Sequence, residues 1–206
     1  MSEESWDGWR DDLFHGPVWV VDPLDGTSNF AHGHPYWCVS VAIAIDGVTM
    51  AGAVAAPQLN QLFRASRGQG ATLNGATLSV ARPASLADSL IGTGVPHDRS
   101  RLAGPMARIQ TLLTHCRDVR RTGSPALDIC YVAAGLLDAH CESLAPWDVA
   151  AATLIAAEAG AERSNLAPEP FPIPTDLAGT EVVVASPTIH DALLTLLATS
   201  AANPRR

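Results

Sequence analysis

The sequence predicts a layered α/β fold, and three observations carry the prediction. Residues 1–85 alternate short apolar runs with Asp-Gly and Asn-Gly turns, the pattern of a mostly antiparallel sheet. Residues 86–206 alternate strand-like runs with segments of helical periodicity. The composition, 206 residues with 47% hydrophobic and 17% charged, lets a chain bury a core without staples and excludes disorder. Residues 1–206 therefore read as one domain with an antiparallel portion and an alternating portion.

Each element has its own signal. Residues 5–16, polar and rich in Trp, Asp and Gly, read as a loop, with Trp6 and Trp9 anchoring it rather than forming a mobile flap. Residues 17–21 are a buried β-branched strand, stopped by the turn chemistry of Asp22-Pro23-Leu24-Asp25-Gly26. Strands follow at 37–45 and 50–56, joined by the Asp46-Gly47 hairpin turn and ended by Pro57. Residues 62–65 and 71–73 are further short strands, and Asn74-Gly75 marks another turn. In the second portion 90–95 is a strand, and Leu102, Met106, Ile109, Leu112 and Leu113 recur at helical spacing within 101–115. Val119 lies in a short strand. Residues 124–134 form a helix closed by Gly135, 136–142 a strand, and 146–159 an Ala-rich helix closed by Gly160. The four prolines in 163–178 read as a loop. A strand at 181–185 and a helix opened by Pro187 and ending near Leu197 complete the chain.

Charge and cysteine usage exclude several functions. All 13 basic residues are Arg, which removes Schiff-base chemistry, a P-loop lysine and kinase chemistry. A net charge of -8 leaves no basic stripe for nucleic acid. No apolar run approaches the ~20 residues that span a bilayer. Met1-Ser2-Glu3-Glu4-Ser5 is acidic and unlike a signal peptide, so a cytoplasmic protein with no membrane partner is expected. Cys38, Cys116, Cys130 and Cys141 form no CxxC and read as reduced thiols.

The most informative segment is Asp22-Pro23-Leu24-Asp25-Gly26-Thr27. Ordinary turn chemistry explains it about as well as function does. The functional reading is that Asp22 ends a buried strand, where a carboxylate is costly unless it is paired or binds a metal. A turn folds Asp25 toward the same point, with the Leu24 carbonyl facing it, and such hard oxygen ligands suit Mg²⁺. Gly26 and Thr27 then offer backbone N–H groups to an anion. Asp148 alone reads as a helix cap, and Glu3-Glu4 as a solvated chain end.

Together these segments carry a resemblance. Asp22-Pro23-Leu24-Asp25-Gly26-Thr27-Ser28-Asn29-Phe30 matches the signature D-P-x-D-G-T-x-N-F, and Trp147-Asp148-Val149-Ala150-Ala151 matches W-D-x-A-A. Ser2-Glu3-Glu4-Ser5 is similar to a G-E-E-S segment that precedes the first signature at about this distance. Further similarity runs through Gly92 to Pro96 and Gly123 to Asp128. On these motifs the chain resembles the inositol monophosphatase family over nearly its whole length.

The resemblance implies a sugar-phosphatase fold, an α+β layered sandwich. It implies Mg²⁺ held by Glu3, Asp22, the Leu24 carbonyl, Asp25 and Asp148. The substrate, a small phosphate monoester, would sit among these residues with its phosphate on the Gly26 and Thr27 amides. Asp25 and Thr27 would be catalytic, the Thr27 hydroxyl orienting an attacking water with no phosphoenzyme. Ring hydroxyls would meet Gly123, Ser124 and Glu142, although the loop from Glu142 to Asp148 is one residue shorter than is usual. The implied substrate is inositol monophosphate or a related polyol phosphate, with histidinol phosphate as the alternative, and the implied assembly is a homodimer.

One departure sets an expectation of its own. The family's N-terminal helical segment, which covers one face of the sheet and supplies an acid paired with the position of Thr27, has no counterpart here. An N-terminally truncated form would leave an apolar sheet face uncovered, and a non-catalytic binding protein is the competing function. Three tempting features are set aside. His32-Gly33-His34 lacks a third ligand at metal spacing and reads as a surface turn. Arg120-Arg121 reads as a solvated edge or interface, and His97-Asp98 as neighbours that point apart.

Overall fold

A computed structural model describes residues 1–5, 14–96, 98–170 and 172–202. The readings of Trp6, Trp9 and His97, and of 6–13 as loop, lie outside the described residues. In chain order the elements are β1 (Pro17–Asp25), α1 (Thr27–Ala31), β2 (Cys38–Ile45), β3 (Val48–Ala56), β4 (Gln61–Ser66), β5 (Ala71–Leu73) and β6 (Ala76–Thr77). There follow β7 (Leu90–Thr93), α2 (Ala103–His115), β8 (Asp118–Arg120), α3 (Pro125–Ala133), β9 (Ala139–Glu142), α4 (Pro146–Glu158), β10 (Glu162–Asn165), β11 (Val182–Ala185) and α5 (His190–Ala202).

The first portion is an antiparallel meander in the order β1-β2-β3-β4-β5-β6. Its hairpins turn where the sequence places them. Asp46 and Asn74 take φ near 50°, each followed by a glycine at positive φ, the left-handed pair that a two-residue hairpin needs. The second sheet runs β10-β11-β9-β7-β8, with β7 parallel to both neighbours and the remaining pairs antiparallel.

Helices α3 and α4 lie between the sheets. Val20, Val54 and Phe63 from the first sheet, Leu127, Ile129 and Ile155 from the helices, and Val182 and Val184 from the second form one buried cluster. On the far side of the second sheet, Leu112 of α2 and Leu193 and Leu197 of α5 pack on Ile91, Val183 and Ala185. The alanines of α4 let it approach β3 closely: a Cβ on Gly52 would stand 2.8 Å from the Ala151 Cα. The outer face of the first sheet carries apolar residues with nothing described over them. Trp19 is 59% exposed, and with Val41, Ile43, Ala51 and Ala53 it lines a shallow groove.

The structure differs from the sequence reading most at four places, besides shifts of one or two residues at element ends, those of β3, β4, β7 and α2 among them, and the added short strand β6. Strand β1 does not stop at Val21 but continues to Asp25. Its register against β2 shifts between Asp22, opposite Ser40, and Asp25, opposite Cys38, so the segment read as a turn is a bulged strand. Strand β10 forms inside the stretch read as loop. Its sequence Glu-Arg-Ser-Asn has no strand propensity, but β11 pairs with all four of its residues and supplies the context that decides. Strand β9 begins at Ala139 because Gly135, at φ 67°, opens a turn before it. Helix α5 begins at His190 and reaches Ala202, with Pro187 in the turn before it.

Candidate metal and phosphate site

The bulge in β1 builds the site. In a regular strand, residues three apart face opposite sides. The shift over Pro23 and Leu24 turns Asp25 to the buried side, where Asp22 already lies, and the two are 2% and 5% exposed. Proline is tolerated here because a bulge frees its position from the ladder. Asp148, in the first turn of α4, brings a third carboxylate. Ligand oxygens of Asp22, Asp25 and Asp148 all lie within 4.8 Å of one another, across more than a hundred residues of chain.

Each carboxylate has one oxygen pinned by a backbone N–H. Leu24 N–H donates to Asp22 Oδ1 at 2.9 Å, and Ala145 N–H donates to Asp148 Oδ2 at 2.8 Å. Ala126 N–H donates to Asp25 Oδ2 at 3.0 Å, where the Ser124 hydroxyl also donates at 2.6 Å. Asp148 thus does cap its helix, as its position alone suggested, while still joining the cluster.

Burial and mutual repulsion dominate the electrostatics. Burial pushes Asp25 up to about 7, against the Ser124 hydrogen bond, with the Asp22 charge adding to the rise. Burial likewise pushes Asp22 up to about 6, and Glu3 raises it further by charge and by a shared hydrogen bond. Asp148 rises well above the ordinary carboxylate range, first through burial and then through the Asp25 charge. Among the described residues no basic side chain forms an ion pair with any of the three. An all-oxygen set of clustered acids without a basic partner fits a small hard divalent cation.

The rest of the wall is polar. Glu3 stands on a short 3-10 turn beside β1, held there by the pairing of Ser2 with Val21 and by the Val21 N–H, which donates to Met1 O at 2.9 Å. The Thr27 hydroxyl donates to the Leu24 carbonyl at 3.0 Å. Gly26, at φ 89°, is required on two counts, since a Cβ there would meet Tyr36 O at 3.0 Å. Asn29 Nδ2 donates to Tyr36 O and to Thr122 O, tying α1 to the loop that carries Gly123 and Ser124. Ser124, which the resemblance places against ring hydroxyls, is fully buried and donates its hydroxyl to Asp25.

All the residues assigned from the sequence share one cavity of about 320 Å³: Glu3, Asp22, Leu24, Asp25, Gly26, Thr27, Gly123, Ser124, Glu142 and Asp148. Arg121, read as a solvated edge, also lines it, while its neighbour Arg120 pairs outward with Asp118 at 2.6 Å.

Behind Glu142 lies a group the sequence reading missed. His140 is fully buried and neither ring nitrogen has a hydrogen-bond partner among the described residues. Its Nδ1 is 3.8 Å from Asp128 Oδ2 and its Nε2 is 3.5 Å from Glu142 Oε2. Burial pushes Asp128 up to about 6 in spite of His140 and the Thr122 hydroxyl. The spacing of His140 and Glu142 on one strand face was a usable signal, but Asp128 comes from another element. His32 and His34 are exposed and join no group of potential metal ligands among the described residues.

The sequence matches the inositol monophosphatase family over residues 1–202. The chain belongs to the inositol monophosphatase family. Its similarity to inositol monophosphatase from Anabaena (Nostoc) sp. PCC 7120 is 34% identity, covering 97% of this chain and 77% of that one, with a TM-score of 0.87. It is 48% identical over 145 residues to Nus factor SuhB of Pasteurella multocida, covering 69% of this chain and 54% of the relative. It is 37% identical over 190 residues to inositol monophosphatase 2 of Solanum lycopersicum, covering 90% of this chain and 70% of the relative. The chain thus spans about half the length of the curated relatives it matches first. The layered arrangement of two sheets around α3 and α4 is the inositol monophosphatase fold, and both family signatures meet in the cavity, one in β1 and α1, the other at the start of α4. Among the described residues no helix is long and apolar enough to cross a membrane.

Proposed function

We propose that this chain is a Mg²⁺-dependent phosphomonoesterase acting on inositol monophosphate or a related polyol phosphate. The observation that carries the reading is the convergence of Asp22, Asp25 and Asp148 beside a polar cavity, without a basic partner among the described residues. Glu3, Asp22, the Leu24 carbonyl, Asp25 and Asp148 would hold the cation. When bound, it supplies charge to the phosphoryl oxygens and lowers the pKa of water.

The chain's own groups do the rest. The backbone bonds to Asp22, Asp25 and Asp148 fix the carboxylates before any ligand arrives, so little reorganisation is left to the reaction. The Gly26 and Thr27 amides receive the phosphate, and the Thr27 hydroxyl, held toward the Leu24 carbonyl, orients the attacking water. Arg121 adds a positive charge on the cavity wall. Glu142 and Gly123, both on the cavity wall, meet substrate hydroxyls, Glu142 by accepting their hydrogen bonds. A cytoplasmic homodimer accompanies this reading.

Phosphate release from a panel of monophosphates, with and without Mg²⁺, tests it. Histidinol phosphate belongs in the panel as the alternative substrate. A second reading, a binding protein without turnover, is favoured by the relative named as a Nus factor and by the exposed apolar sheet face. Absence of release from every substrate at saturating Mg²⁺ would select it.

A further inference from the structure

A second group of metal-ligating side chains lies where the edge strand β10 meets the start of α5. Glu162 and Ser164 are two apart on β10 and so face the same side. Opposite them stands His190, only 6% exposed. Its Nε2 is 3.0 Å from the Ser164 hydroxyl, and its Nδ1 is 3.1 Å from Glu162 Oε2 and 3.3 Å from Asp191 Oδ1. Donor atoms of Glu162, His190 and Asp191 all lie within 4.8 Å of one another, and none of the three lines the acidic cavity.

A shared Nδ1–H between two carboxylates is the plain explanation of such a group. Two features of the same group also match an ion-binding arrangement. Ligands bound at about 2.0–2.1 Å around a tetrahedral ion stand about 3.3 Å apart, the separation between the imidazole nitrogen and each carboxylate here. The imidazole is also buried and fixed by a hydroxyl at its far nitrogen, as outer-shell partners fix metal-binding histidines. We propose that Glu162, His190 and Asp191 form a second metal site, for a borderline divalent ion such as Zn²⁺. With the ion on Nδ1, the ring proton resides on Nε2 and is donated to Ser164 Oγ. Mixed imidazole and carboxylate donors favour such an ion over Mg²⁺. The exposed side chains of Glu162 and Asp191 give it a path from solvent and leave the fourth position to water. The ion clips the sheet's edge strand to α5 and stabilises the fold by mass action without touching substrate.

Equilibrium dialysis of the whole chain against Co²⁺, as a stand-in for Zn²⁺, tests the site. The experiment is run in excess Mg²⁺ and repeated in an Asp25→Asn background, so that the acidic cavity does not contribute. The expected result is one equivalent of Co²⁺, displaced by Zn²⁺ and lost in His190→Ala. The exposed variants Glu162→Gln and Asp191→Asn keep the test valid if His190→Ala fails to fold, and each should weaken binding at least about tenfold. Ser164→Ala should weaken it about 10–100-fold. Absence of Co²⁺ binding under these conditions, or binding unchanged in Glu162→Gln and Asp191→Asn, would overturn the proposal.

Discussion

Asp22, Asp25 and Asp148 are raised carboxylates, and that fixes a sign. The native state of the metal-free protein holds protons on them that the unfolded chain releases near pH 4. Their contribution to stability is therefore fully present below about pH 4 and is lost as pH rises through about 6 to 7. Thermal melts of metal-free protein should show Tm falling across that window, and Mg²⁺ should raise Tm more at pH 8 than at pH 5. In Asp25→Asn the metal-free Tm above pH 7 should rise, by roughly 2–4 °C for each kcal/mol of repulsion relieved. A Tm that increases with pH in metal-free wild type would contradict the assignment. His140 carries a separate prediction. The His140 ring stands between Asp128 and Glu142 and backs Glu142, so His140→Phe should raise KM about tenfold with kcat near wild type, and His140→Gln should recover part of the loss. Equal falls in kcat and kcat/KM would show a different role.

At the level of elements, the close approach of α4 to the first sheet sets where Asp148 lies. Gly52 permits it, and a Val there would meet the Ala151 backbone. Gly52→Val should cost about 1–3 kcal/mol in chemical denaturation and weaken Mg²⁺ binding by displacing the start of α4. Unchanged stability would mean that the helix yields without consequence. The elements also show what the sequence could convey. Asp46-Gly47 and Asn74-Gly75 named their hairpins because φ above zero is a local demand met by few residues. The bulge over Pro23 and Leu24 was hidden because a strand with one extra residue and a turn use the same Asp-Pro-x-Asp chemistry. Strand β10 was hidden because its pairing with β11 decides it, not its own residues.

Over the whole molecule, the residues assigned from the two signatures share one cavity, because signature motifs carry position as well as chemistry. Asp128 with His140 was illegible because only the packing of α3 on β9 brings them together. The outer face of the first sheet exposes Trp19, Ile45, Val48 and Met50. Contiguous apolar surface of this kind promotes association, so sedimentation should show mass rising with concentration, and Trp19→Ser with Ile43→Thr should reduce it. A concentration-independent monomer would contradict that expectation. The central claim is that the acidic cluster holds the cation that drives phosphate release. Its most direct test is phosphate release from inositol monophosphate, titrated with Mg²⁺, by wild type and by folded Asp25→Asn. Saturable Mg²⁺-dependent release by wild type, reduced at least about 100-fold in Asp25→Asn, is the predicted result. Release independent of Mg²⁺, or equal in the two proteins, would contradict it.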